Sequence, residues 1–293
     1  MNNDRQPSHY ISRMLLLLCL VLPSIACADV VSLEHGFDLL YDLKFDAAQR
    51  EFTNFQQLHP NDPLGPVSEA SGVLFAQLNQ LGILESSFFV NDTSFRRLGK
   101  QQPDPVAYKQ FDSALKRART LAEKRLESKP GDHDALFAIT LDSGLRADYA
   151  ALIADKKVEA LHYTKAATAS AEQLLSSCSD CYDAYVATGI SGYLIGSLAA
   201  PMRWVLRLGG FSGDKQKGIS QLQLAAEHGR YLGPFARILL AIAYLREKEP
   251  ERTRQLLSEL HEEYPQNTIF TNELARLNGP AALSSRYLPR PVH

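Results

Sequence analysis

The sequence predicts an all-α protein built from stacked helix pairs. Three observations carry this. Ala, Leu, Glu, Gln, Lys and Arg dominate after residue 32, and alternating β-branched runs are nearly absent. Apolar residues recur at three- and four-residue intervals. Similar stop signals then cut the pattern at intervals, as in His59-Pro60-Asn61-Asp62-Pro63, Lys129-Pro130-Gly131-Asp132 and Tyr264-Pro265-Gln266-Asn267.

Residues 1–28 come first and read as an address rather than as fold. Arg5 and Arg13 precede the apolar run from Met14 to Leu22, and Ala26-Cys27-Ala28 follows as a small-residue cleavage site. Nine apolar residues are too few to span a bilayer comfortably. The reading is a secretory signal cleaved after Ala28. Ser24-Ile25-Ala26-Cys27 also resembles a bacterial lipoprotein box, which leaves lipidation of Cys27 as the alternative. Export through such a signal implies a periplasmic location, with outer-membrane association open.

In the body, Phe45, Ala48, Phe52 and Phe55 form the first stripe, and Tyr108, Phe111, Leu115, Ala118 and Ala122 form another. Phe235, Ile238, Leu239 and Ile242 line a third face, and Leu256, Leu257, Leu260 and Tyr264 a fourth. Each stripe is flanked by charges and needs a partner helix to cover it. Helices are expected near 32–42, 45–58, 65–80, 105–128, 133–152, 156–176, 182–198, 216–228, 233–246 and 250–263, or about five antiparallel pairs. A short tail follows to about 277. The segments 82–104 and 199–214 read as irregular insertions, and 279–293, with three prolines, reads as a C-terminal tail.

The residues of the first pair resemble a tetratricopeptide repeat, a helix-turn-helix unit of 34 residues. Gly36 falls on the small residue of its first helix, Phe45 on the aromatic opening the second, and Ala48 on the point of closest packing. Phe52 and Pro60 match the later aromatic and the closing proline. Residues 234–267 are similar through Leu240, Ala241, Tyr244 and Pro265, but Pro250 and Thr253 replace the expected aromatic and alanine. In the middle, Tyr185 and Gly189 fit, while the insertions break the period. The resemblance implies a right-handed solenoid over 29–278 whose concave face binds a peptide or protein.

Composition bounds the partners. Lys and Arg total 31 against 33 Asp and Glu, a net charge of −2. Removing 1–28 takes away Asp4, Arg5 and Arg13, leaving 29 basic and 32 acidic residues, or −3. Nucleic acid is excluded as the main partner, because phosphate binding needs a basic excess or stripe.

Catalytic and cofactor signatures are missing. The eight histidines form no HExxH or i, i+4 pair, and there is no GxSxG. Cys178-Ser179-Asp180-Cys181 is the single CxxC. Without a second CxxC it is not a four-cysteine zinc site, and without a following histidine it does not attach haem. In an oxidising compartment it reads as a disulfide between Cys178 and Cys181. Asp132-His133-Asp134 reads as a helix N-cap rather than a metal site, and the glycine-rich 209–215 as a turn with Asp214 opening a helix. The 19 uncharged residues 184–202 carry many small side chains, which suits a central buried helix better than a membrane span.

These absences point to a non-enzymatic, cofactor-free scaffold for protein partners in the cell envelope. The alternative is a small-ligand carrier or enzyme whose pocket the curved solenoid encloses. Met202, Arg203, Trp204, Leu206 and Phe211 crowd one stretch, and Trp, Met and Arg are enriched at interface cores. With Phe88 and Phe89 of the first insertion they form the candidate partner surface. The blander reading, and the favoured one, is that Trp204 and its neighbours cap the central helices as core and that Phe88 and Phe89 tuck back onto the solenoid. For the Trp204 stretch a further alternative is a basic amphipathic segment on an anionic membrane.

Overall fold

The computed structural model describes residues 32–84 and 104–279. The signal reading of 1–28, with Ala28 and Cys27, therefore lies outside the described residues. So do Phe88 and Phe89 and the tail from 280 onward. Among the described residues the chain is helical throughout and contains no strand.

Twelve α-helices follow in order. They are α1 (Leu33–Tyr41), α2 (Phe45–Leu58), α3 (Leu64–Gln80), α4 (Pro105–Ser128), α5 (His133–Asp148) and α6 (Lys157–Ser177). After them come α7 (Tyr185–Gly196), α8 (Ala200–Leu208), α9 (Lys215–His228), α10 (Gly233–Arg246), α11 (Pro250–Glu263) and α12 (Thr268–Asn278). The expected caps are present: Asp132 accepts from the Ala135 N–H and Asp214 from the Lys217 N–H. Two expectations need correction. The segment 199–214 is not wholly irregular, since Pro201 opens α8 from the first turn, where its missing N–H costs nothing. The stretch after 267 is a capped helix rather than a tail, with Asn267 accepting from the Ile269 N–H.

Apart from α8, each helix packs mainly on its neighbours in the chain. In the first pair Gly36 faces Phe52 so closely that a Cβ there would overlap the ring, and both Phe52 and Ala48 are fully buried. The uncharged run forms α7, which lies against α9. A Cβ on Gly189 would stand 3.0 Å from the Gly218 carbonyl oxygen, so glycine is what permits this approach. Thr253, standing where the repeat pattern has alanine, is fully buried and donates its hydroxyl to the Ala241 carbonyl at 3.1 Å. No helix among the described residues is long and apolar enough to cross a membrane.

Between α4 and α5 lies a buried ion cluster. Asp142, at 0% exposure, takes hydrogen bonds from Arg119 and Arg146, and Arg146 also pairs with Asp112 at 3.2 Å. The two ends of the helical array also meet. The Tyr41 hydroxyl donates to the Tyr231 carbonyl at 2.8 Å, and Asn267 donates to the Tyr41 carbonyl at 2.7 Å. Tyr264 donates to Asp38 at 3.1 Å, and Arg230 pairs with Glu34. Helix α1 is thus held to the α9–α10 and α11–α12 connections, and the array closes on itself.

Candidate functional site

Closure leaves an apolar cavity of about 180 Å³ inside the helices. Phe37 and Tyr41 of α1, Phe75 of α3, Leu141 of α5, Ile190 of α7 and Phe235 of α10 contribute to its wall. Phe75 and Phe235 meet edge to face at 5.6 Å. A second compartment of about 130 Å³ shares Tyr41, Phe75, Asp148 and Phe235 with the first, and Leu152, Ile242 and Phe270 help close it. Leu194, on the last turn of α7, lines the larger compartment while remaining exposed, and so joins it to the surface.

Several hydroxyls in these walls are already committed. Ser71 and Thr140 donate to carbonyls one turn back, at Val67 and Leu136, and Thr164 donates to Ala160. Asp183 is occupied as well. Its two oxygens accept the backbone N–H groups of Arg230, Tyr231 and Leu232, tying the turn before α7 to the start of α10. Burial raises its carboxyl above the ordinary aspartate value, and those three bonds oppose the rise.

Asp148 differs. It is the last residue of α5, where the helix widens into a π turn, Tyr149–Ile153, a distortion often found at functional sites. It lines both compartments. Among the described residues no donor or cation engages its carboxyl, and its side chain caps no backbone group. By its accessible surface Asp148 is half-buried. Burial without compensation pushes the carboxyl up to about 7. A lone carboxyl between two apolar chambers can accept hydrogen bonds or balance a positive charge. Asp148 escaped the sequence reading because it sits in an ordinary polar rhythm with Asp142 and Arg146, and its apolar surroundings come from distant helices.

The residues singled out from sequence lie elsewhere. Cys178 and Cys181 are joined by a disulfide at the end of α6. His133 lies within 4.8 Å of both sulfurs, but sulfurs bonded to each other are not thiolate ligands. Trp204 is 64% exposed, and Met202 and Arg203 are exposed too, so the core reading of this stretch is wrong. Leu206 and Phe211 are half-buried. None of the five borders the apolar cavity. The chain matches no protein-family model, and no curated protein is similar enough to count as a relative.

Proposed function

We propose that this chain is an exported, non-enzymatic binding protein whose helices form a closed tetratricopeptide-like array around a small-molecule site. The ligand is an apolar body with a cationic or hydrogen-bond-donating head. The observation that carries this is Asp148, an uncompensated carboxyl at the junction of two apolar compartments. A pocket of this kind, mostly apolar with a few convergent polar groups, is typical of small-ligand sites. The head would meet Asp148 and the body would lie against Phe75 and Phe235. A dry 150 Å³ cavity holds benzene, so each compartment suits a ring or a short alkyl chain.

The open protein-binding groove expected from the repeat pattern draws less support. A groove for a peptide needs an accessible concave face, and here the two ends of the described helical array meet at α1. Catalysis draws no support from the site either. Asp183 is the other carboxyl in the wall, and its oxygens are held by backbone donors, which leaves Asp148 without an acid–base partner.

Thermal denaturation in the presence of octylamine, octanol and octanoate tests the reading. The amine should raise the midpoint most and the carboxylate least, and Asp148→Asn should abolish the preference of amine over alcohol. Equal shifts for all three ligands on the wild type would refute a role for Asp148 in recognition.

A further inference from the structure

Helix α8 is built unlike every other helix among the described residues: it contributes no buried residue. Met202, Trp204, Val205 and Leu208 are all exposed, Leu208 to 71%. At 100° per residue, Trp204, Leu208 and Val205 fall on one face, with Met202 at its margin. Half-buried Leu206 lies on the opposite side. Four large apolar side chains over seven residues make an exposed patch of the kind that marks a docking surface.

Charge indicates what covers it. Arg203 and Arg207 are one turn apart: Arg207 flanks the apolar face, while Arg203 lies further round and donates to the Gly196 carbonyl at 3.3 Å. Neither forms an ion pair among the described residues. Residues 198–213 contain no Asp or Glu, although the chain as a whole carries −2. The nearest acidic residue in sequence, Asp214, is engaged as the cap of α9. Both guanidinium groups, with Trp204, Phe211 and Ser212, border a recess of about 290 Å³. Lys165 donates to the Gly209 carbonyl and lies over the Phe211 ring at 5.5 Å. A second copy laid face to face would bring four arginines together, which disfavours self-association.

We infer that α8 is an interfacial helix that docks this protein on an anionic phospholipid surface. Trp204, Val205 and Leu208 enter the headgroup boundary, while Arg203 and Arg207 engage lipid phosphates. The inference is independent of the internal cavity, which α8 does not line.

Trp204 is the single tryptophan of the chain, so its fluorescence reports on this helix alone. The full chain, purified as its cells process it, is mixed with vesicles of phosphatidylcholine, with or without phosphatidylglycerol. The expected result is a blue shift and protection from aqueous quencher only with phosphatidylglycerol, and weakening in high salt. Each arginine should contribute about fivefold to partitioning. Arg203→Gln with Arg207→Gln should therefore weaken binding roughly 25-fold. Because both side chains are exposed, the circular dichroism of this variant should match the wild type. Unchanged Trp204 emission with anionic vesicles overturns the inference. So does a blue shift that grows with protein concentration without lipid, which would assign the face to a second copy.

Discussion

Replacing Asp148 by Asn removes one charge and almost no volume. Its effect on stability follows from the carboxyl's position. An ordinary aspartate value of 3.8 raised to about 7 in the folded protein means that the native state holds this proton more tightly than the unfolded chain does. Between roughly pH 4 and pH 7 the native state therefore binds more protons, and stability falls as pH rises through that window. Each pH unit of difference is worth 1.36 kcal/mol, so the full loss above pH 7 is on the order of 4 kcal/mol. Asp148→Asn abolishes this loss. At pH 8 the variant should be more stable than wild type by an amount of that order, less about 1 kcal/mol for an imperfectly bonded amide. At pH 4 the two should nearly coincide. Urea denaturation of both proteins across pH 4–8.5 measures the difference directly. If the gap between variant and wild type does not widen with pH, or if the variant is the less stable protein at pH 8, Asp148 is not an uncompensated buried carboxyl.

Two further substitutions test the packing that builds the cavity. Asp142→Ala strands Arg119 and Arg146 beside an apolar methyl at the α4–α5 seam, and should cost about 3–5 kcal/mol in chemical denaturation. Gly36→Ala forces a Cβ into the Phe52 ring and should cost about 1–3 kcal/mol. Adding Phe52→Leu should recover part of that loss in a double-mutant cycle.

Much of the helical order was legible because the signals are local. Apolar spacing, Pro-Asn-Asp stops and the caps Asp132 and Asp214 depend on a few neighbouring residues, and the structure places helices close to where they point. The glycines of the uncharged run were legible in the same way, since small residues at three- and four-residue spacing indicate close packing before the partner helix is known. Helix α8 is hidden in the sequence because it is short and lies between a proline and two glycines: Pro201 starts it and Gly209-Gly210 end it, and the same residues also punctuate irregular chain. Thr253 looked like a departure from the repeat, but the Ala241 carbonyl supplies the partner its hydroxyl needs.

The cavity was not legible. Its walls draw on α1, α3, α5, α7 and α10, and it exists because residues near 40 meet residues near 231 and 267. No local pattern encodes such a contact. Asp148 is the clearest case: what sets it apart is that no described residue partners its carboxyl, and such an absence has no sequence signature. The exposure of Trp204 was equally hidden, because an amphipathic segment looks the same whether its apolar face is covered by the protein or left open.

The central claim is that Asp148 recognises the head of an apolar ligand inside the closed array. Calorimetric titration of octylamine as a function of pH tests it most directly. The amine stays protonated throughout, so binding needs the ionised carboxyl, and affinity should follow its titration near pH 7. Lowering the pH from 7.5 to 5.5 should weaken octylamine binding by about 25-fold in wild type. The same change should leave the affinity of Asp148→Asn unaltered. An affinity that is flat with pH in wild type, or that falls equally in both proteins, would contradict the account.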